Sequence, residues 1–98
     1  MSGPIYKMAR ARLKEAFFAL SKAEQDALGE NVMAALASVG GKQTLLCDSA
    51  WSSEEWWFFA IEEFPSIEAV QEHSRLLTEL NWKRYTESET LLGTAFQA

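Results

Sequence analysis

Apolar and polar residues alternate along several short segments of the chain, as they do in β-strands that have one face against a core. This alternation, together with the continuous apolar run that begins at residue 56, predicts four strands, over residues 4–13, 42–51, 56–64 and 89–96. On the first strand, the residues that would share one face are Tyr6, Met8, Arg10 and Arg12. Those that would share the opposite face are Ile5, Ala9, Ala11 and Leu13.

A helix is expected between the first two strands. Ser21 followed by Glu24 is the pattern of a capping box, in which each side chain bonds a free backbone N–H at the start of a helix. The helix should run from about Lys22 to Ser38, with residues 14–20 as a connection before it. The glycines at positions 40 and 41 favour its end, because glycine readily adopts the left-handed conformation found after helices.

A second helix is expected after the third strand, because Pro65 ends that strand and Ser66 is a suitable N-cap. It should reach about Leu80. The resulting order is β-α-β-β-α-β, which divides into two β-α-β halves. That order predicts an α+β, ferredoxin-like fold in which two helices cover one face of a four-stranded antiparallel sheet.

The third predicted strand carries bulky apolar side chains on both of its faces. By alternation, Trp56 and Phe58 point one way, while Trp57, Phe59 and Ile61 point the other. Two helices can cover only one face of the sheet, and monomers rarely expose a large apolar patch. A second copy of the chain, packed sheet to sheet, is the simplest cover. The pattern therefore predicts a homodimer.

Together with this element order, the sequence FPSIEAVQEH at residues 64–73 resembles the dimeric α+β barrel superfamily. The shared features are an aromatic residue at the strand end, a turn, a small N-cap and an amphipathic helix with an acidic first turn. The superfamily includes antibiotic-biosynthesis monooxygenases, small polyketide cyclases and haem-degrading monooxygenases. The resemblance implies one domain over residues 1–98. It also implies a cavity between helix and sheet, as expected of members that act on small molecules.

His73 is the only histidine of the chain and the main candidate for a catalytic group. At about 100° per residue, it falls on the apolar side of the predicted second helix, together with Val70 and Leu77. It should therefore face the sheet or a cavity beside it. An imidazole with a pKa near neutrality could act there as a general base. The alternative is a core histidine that donates to a backbone carbonyl.

Other candidates would give a ligand hydrogen bonds or an aromatic wall. Tyr6 and Tyr85 each combine apolar area with one hydroxyl, so either could contact a ligand or His73. The tryptophans that could line a pocket for a flat molecule are Trp56, Trp57 and Trp82. Each of these aromatic residues could instead serve packing in the core or at an interface.

Arg10 and Arg12 share a face of the first predicted strand. They could bind a carboxylate or an enolate, or stack on a tryptophan of the third strand. They could equally pair with Glu62 or Glu63 at the dimer interface.

Composition excludes several classes of function. The 98 residues carry a net charge of −5, which argues against a nucleic-acid partner because phosphate contacts need a basic surface. No apolar run approaches the roughly 20 residues of a membrane helix, so no membrane partner is expected. The single cysteine, Cys47, cannot form an internal disulfide, which is typical of a cytoplasmic protein. One cysteine and one histidine are too few for the usual zinc sites.

These observations favour an enzyme that needs no cofactor and that isomerises, cyclises or oxygenates a small aromatic or enolisable molecule. His73 would exchange the proton, while Tyr6, Tyr85 or an arginine would stabilise the enolate oxygen. The alternative is a non-catalytic small-ligand binding or accessory protein. A third hypothesis is haem binding through His73. Against it, the first strand lacks the asparagine that haem-degrading members of the superfamily pair with a tryptophan and a helix histidine.

Overall fold

The computed structural model describes residues 3–97, in which four strands and four helices follow one another as β-α-α-β-β-α-α-β. In chain order they are β1 (Ile5–Leu13), α1 (Glu15–Phe18), α2 (Lys22–Ser38), β2 (Lys42–Asp48), β3 (Phe58–Phe64), α3 (Ile67–Glu79), α4 (Trp82–Tyr85) and β4 (Thr86–Gly93). The strands form one antiparallel sheet with the order β2-β3-β1-β4. This is the ferredoxin-like α+β fold expected from the sequence. Within residues 3–97, no helix is long and apolar enough to cross a membrane.

The capping box predicted for the first long helix is present at the start of α2. The Ser21 hydroxyl accepts from the Glu24 backbone N–H at 3.1 Å, and the Glu24 carboxylate accepts from the Ser21 N–H at 2.9 Å. The helix ends before Gly40, whose φ of 76° only glycine adopts without strain. Gly41 then passes so close to Leu36 that a Cβ at this position would meet the Leu36 side chain at 2.5 Å. The absence of a side chain lets β2 start directly against the helix.

The core joins both long helices to the sheet. Leu36 of α2, Phe64 of β3 and Val70 of α3 are buried against one another. Ser66 caps α3 as predicted, because its hydroxyl accepts from the Ala69 N–H at 3.1 Å. The cap and the core contact together fix the rotation of α3. His73, one turn after Val70, is thereby turned toward the sheet and is only 2% exposed.

Two strand boundaries differ from the prediction because residues 49–57 form a loop. β2 ends at Asp48, and β3 begins at Phe58. The loop is closed by Ser49, whose backbone N–H donates to the Trp57 carbonyl at 2.9 Å and whose hydroxyl donates to the Trp56 carbonyl at 2.7 Å. The short helices α1 and α4, four residues each, were not predicted.

The last strand lies three residues earlier than predicted at both ends. It starts at Thr86, which pairs with Leu13 at the end of β1, and it ends at Gly93, which pairs with Tyr6 near the start of β1. Beyond Gly93 there is almost no β1 left to pair with, so the ladder stops there. The length of the neighbouring strand, and not the apolar pattern, sets this boundary.

The face of the sheet opposite α2 and α3 carries a continuous apolar row. Residues directly opposed in an antiparallel ladder share a face. The register opposes Leu45 to Ile61, Ile61 to Met8, and Met8 to Leu91. We call these four side chains the outer apolar row. Its two ends are open to solvent, since Leu45 is 51% and Leu91 is 67% exposed.

Trp56 also lies over this outer face, because the guanidinium groups of Arg10 and Arg12 stack on its ring at 5.1 and 5.6 Å. The prediction that Trp56 and Phe58 share a face was wrong. Phe58 opposes Ala11 and borders the space under the helices. The alternation fails here because Trp56 belongs to the loop, where backbone pleating no longer sets side-chain direction.

Candidate functional site

A cavity of about 710 Å³ lies between the helices and the sheet. Small side chains in the middle of the sheet create the space: Ala9 and Ala60 are directly opposed on β1 and β3, and Ala11 follows two residues later. Other apolar residues of the wall include Leu28, Val32, Phe58 and Leu77. Polar residues that also border the cavity include Gln25, Gln43, Thr78, Ser88 and Thr90. The wall is mainly apolar, as in most small-molecule sites.

His73 borders this cavity and contacts one charged residue of the sheet, Lys7, which in turn pairs with Glu62. Lys7 of β1 and Glu62 of β3 are opposed in the ladder, so both side chains extend from the same face toward α3. The Lys7 Nζ lies 3.3 Å from His73 Nδ1 and 3.8 Å from a Glu62 carboxylate oxygen. Lys7 is 8% exposed and His73 is 2% exposed. We call these three side chains the Lys7–His73–Glu62 cluster.

Burial dominates the electrostatics of the cluster. It lowers the pKa of His73 to about 4, and the positive charge of Lys7 lowers the pKa further in the same direction. Burial also lowers the pKa of Lys7 and raises that of Glu62, while the attraction between the two opposes both shifts. The pKa near neutrality assumed for His73 from the sequence was therefore wrong. His73 is uncharged at neutral pH and is a weak base.

The second ring nitrogen of His73 has no hydrogen bond. Nε2 is buried, and none of residues 3–97 lies within hydrogen-bond reach of it. Nδ1 faces Lys7 and not a backbone carbonyl, so His73 is not the satisfied core histidine considered as the alternative. Buried polar atoms are nearly always paired, and a buried atom without a partner needs an explanation.

Of the other predicted site residues, the structure brings only Trp82 to the cavity with His73. Tyr6 and Arg10 lie on the outer face of the sheet, because they alternate with Lys7, Ala9 and Ala11. Tyr6 therefore cannot contact His73. Arg10 forms an ion pair with Glu89 and stacks on Trp56.

Two further predicted residues also lie away from the cavity. Trp57 packs against Phe18 of α1, with ring centroids 6.3 Å apart. Tyr85 ends α4, where its carbonyl accepts from the Lys14 N–H at 2.9 Å. Within the described chain, neither residue is part of the cavity wall.

The predicted partners of the strand arginines were also different. Arg12 pairs with Glu87 at 2.5 Å, across the β1–β4 ladder. Glu62 pairs with Lys7, and Glu63 pairs with Lys42 at 3.5 Å. Sequence reasoning missed Lys7 and Glu62 as site residues. Strand alternation could have indicated Lys7, because Lys7 stands between Ile5 and Ala9 on the apolar face of β1.

The described residues contain no group of three or more histidine, cysteine, aspartate or glutamate side chains placed to hold a metal ion. The polar groups at the cavity wall include the imidazole of His73, the ammonium groups of Lys7 and Lys83, the carboxylate of Glu62, and several amides and hydroxyls. Such a set can donate and accept hydrogen bonds and can stabilise charge on an oxygen atom.

No protein-family model and no curated protein matches the chain, but solved structures do. A structure of chlorite dismutase from Candidatus Nitrospira defluvii superposes with a TM-score of 0.77 and 11% sequence identity over 99% of this chain. A second structure of that enzyme gives a TM-score of 0.75 and 22% sequence identity over 96% of this chain. This chain spans only 42% of the chlorite dismutase chain. SnoaB, a cofactor-independent oxygenase from Streptomyces nogalater, gives 0.61 at 18% identity, over 97% of this chain and 95% of its own. These likenesses establish the fold.

Proposed function

We propose that the chain binds a small, largely apolar molecule in the cavity and contacts an oxygen atom of that molecule through His73. The observation that carries the proposal is the unpaired Nε2 of a buried imidazole beside a mainly apolar cavity. The volume of about 710 Å³ falls within the range typical of ligand pockets, roughly 300–1,000 Å³. Because Nε2 is buried, a ligand reaches it when the side chains that cover it move aside.

The chemistry that suits this site is cofactor-independent isomerisation, cyclisation or oxygenation of an aromatic or enolisable molecule. In such reactions a C–H proton passes to a base, here a solvent water molecule, while negative charge develops on the neighbouring oxygen. A neutral imidazole can stabilise that charge by donating a hydrogen bond. The likeness to SnoaB, a cofactor-independent oxygenase, supports this choice. A pKa of about 4 favours hydrogen-bond donation over proton abstraction as the task of His73.

A second candidate is non-catalytic binding in the same cavity. Tyr6, Tyr85 and Arg10, the expected partners of His73 in stabilising an enolate, lie elsewhere in the structure. A passive binding site needs only one orienting polar group, whereas an enzyme is expected to direct at least two at the reacting atoms.

We also propose that the outer apolar row packs against a second copy of the chain. The row spans all four strands, and its exposed ends belong to different edges of the sheet. Ion pairs border the row, because Arg10 pairs with Glu89 and Arg12 with Glu87 on the same face. Burying exposed leucines of both copies would stabilise a symmetric contact. The cytoplasm remains the proposed compartment, since Cys47 is the only cysteine.

Haem binding through His73 does not fit these side chains. A histidine that binds a metal through one ring nitrogen ordinarily donates its other N–H to a carboxylate, a carbonyl or water. Here the other nitrogen, Nδ1, faces the Lys7 ammonium, which is a donor. A haemin titration of the wild type and of His73→Leu checks this point. We expect no Soret shift that depends on His73, and a shift lost in the variant would restore the haem hypothesis.

Catalysis and passive binding can be separated with 1-tetralone, an aromatic ketone with exchangeable protons next to its carbonyl. We expect the wild-type protein to bind 1-tetralone in calorimetry and to accelerate deuteration of those protons in D₂O, followed by NMR. His73→Leu should lose most of the acceleration, because leucine fills a similar volume without a donor. Arg75→Gln, on the exposed side of α3, is the matched control and should behave as wild type.

Three other outcomes with 1-tetralone would lead to different conclusions. Binding without faster exchange would support the non-catalytic candidate. Absence of binding to the cavity would contradict the proposed function. Acceleration that survives in His73→Leu would remove His73 from the chemistry.

A further inference from the structure

Lys7 contacts His73 from β1, and Glu62 contacts Lys7 from β3. We infer that Lys7 is a positioning residue: it fixes the imidazole of His73 with the proton on Nε2, so that His73 presents a hydrogen-bond donor to the ligand. Glu62 keeps Lys7 charged, which makes it the second positioning residue. The ligand-binding part of the inference rests on the proposed function, whereas the proton position does not.

The position of the proton follows from the donors and acceptors in contact. A neutral imidazole has one N–H, and its other nitrogen is an acceptor. A charged lysine has three donors and no acceptor. Because the Lys7 Nζ lies 3.3 Å from Nδ1, Nδ1 has to accept the hydrogen bond. The single N–H of His73 is therefore on Nε2.

Two contacts hold Lys7 in its charged form. The Glu62 carboxylate lies 3.8 Å from Nζ and supplies the opposite charge, with both side chains nearly buried. The ring of Phe64 lies under Nζ, 5.8 Å from the centroid, where its π face attracts a cation. The same ring packs on the imidazole of His73, with centroids 5.2 Å apart. The cluster is thus neutral as a whole, with the Phe64 ring against both Lys7 and His73.

The fixed tautomer defines which ligands the site prefers. Leaving the Nε2–H buried without a partner costs free energy that an acceptor on a ligand would recover. A neutral donor beside an apolar cavity suits a carbonyl oxygen, or the enolate that forms from it, better than an ammonium or a hydrocarbon. The cavity should therefore select molecules with a single oxygen acceptor on an apolar body.

NMR of the free protein tests the proton position directly. His73 is the only histidine, so a long-range ¹H–¹⁵N correlation of the labelled protein contains one imidazole pattern. At neutral pH we expect a protonated Nε2 and an unprotonated Nδ1. A proton on Nδ1 would mean that Lys7 is neutral and accepts from the ring. That result, or a doubly protonated ring, would overturn the inference.

Variants test whether Lys7 is the residue that keeps the proton of His73 on Nε2. The double change Lys7→Met and Glu62→Gln removes the donor without leaving a buried unpaired charge. We expect the ring-nitrogen shifts to move toward each other, because the second tautomer becomes populated. The matched control, Arg10→Met with Glu89→Gln, removes an ion pair from the opposite face of the sheet and should leave the imidazole pattern unchanged. An unchanged pattern in the Lys7 variant would show that Lys7 does not position the ring.

Ligand preference is measured with 1-tetralone and tetralin, which share a carbon skeleton and differ in the carbonyl oxygen. We expect 1-tetralone to bind roughly three- to tenfold more tightly, the gain from one neutral hydrogen bond. The preference should disappear in His73→Leu. Equal affinities would overturn the donor role while leaving the binding cavity in place. If neither molecule binds, the proposed function fails together with the ligand-binding part, and the NMR pattern still decides the proton position.

Discussion

Acid should destabilise the fold through His73, and the size of the effect follows from its burial. The pKa of His73 is about 4 in the folded chain, against an ordinary value of 6.5. Between these values the unfolded chain binds more protons than the folded one, so stability falls as the pH falls from about 6.5 to about 4. The full difference between the two pKa values corresponds to a loss of about 3 kcal/mol in the free energy of unfolding. Domains of this size have stabilities of roughly 5–15 kcal/mol, so the loss is a large part of the total.

The variant His73→Leu isolates this contribution. Leucine is a good helix former of similar volume, so α3 and the core should persist. Urea unfolding of both proteins at about pH 7 and about pH 4.5 gives four free energies of unfolding. Carboxyl groups contribute to the acid response of both proteins. Glu24 and Glu72, whose pKa values are lowered by hydrogen bonds in the fold, reduce stability in acid, whereas Glu62, whose pKa is raised by burial, opposes that loss. We expect the wild type to lose an additional 2–3 kcal/mol or so over this interval.

The wild type and His73→Leu can be compared because the charged groups near residue 73 are the same in both proteins. Lys7 faces His73 from β1, Glu62 neighbours Lys7 from β3, and Lys83 of α4 borders the same cavity. All three remain in the variant. Parallel losses of stability in the two proteins would refute the reasoning, because they would mean that His73 takes up its proton equally easily in the folded and unfolded states.

Three other predictions concern the fold and the assembly. Ser21→Ala should cost about 1 kcal/mol in chemical denaturation by removing half of the capping box, and an unchanged midpoint would contradict the cap. Gly41→Ala should destabilise the fold by roughly 1–3 kcal/mol through overpacking against Leu36. Gly29→Ala, in the middle of α2 with open space around the added methyl group, should be neutral or stabilising by up to about 1 kcal/mol. A Gly29 variant less stable than the Gly41 variant would contradict the packing. Leu91→Glu should convert the proposed dimer to a folded monomer, as measured by light scattering. Ile67→Glu, at an exposed apolar site on the helical side, is the control and should leave the protein dimeric. A dimer that survives Leu91→Glu would not use the outer apolar row.

Local sequence signals were sufficient to predict most of the fold. Ser21 with Glu24, and Pro65 with Ser66, mark helix starts through specific hydrogen bonds or a missing donor, and such signals depend only on near neighbours. The four-residue helices α1 and α4 are too short to show a helical period. The position of β4 depends on the length of β1, which is a tertiary constraint that an apolar pattern does not contain.

The candidate site could be predicted only in part, for a different physical reason. Helical periodicity correctly placed His73 toward the sheet. Strand alternation shows which residues share a face, but it does not show which face the helices cover, so Tyr6 and Arg10 were expected at the site although they lie on the other side. Lys7 was overlooked because lysine is rarely buried without a partner, and its partner Glu62 lies 55 positions later in the sequence.

The most direct test of a ligand cavity beside His73 is to map where 1-tetralone binds by NMR. Amide and imidazole shifts of the ¹⁵N-labelled protein would be followed during a titration with the ketone. We expect the perturbed residues to surround the cavity, with Ala9 and Ala60 on the sheet, Leu77 on α3, and the Nε2 signal of His73 among the largest changes. Shifts confined to the outer apolar row, or an imidazole signal that stays fixed at saturation, would contradict the account.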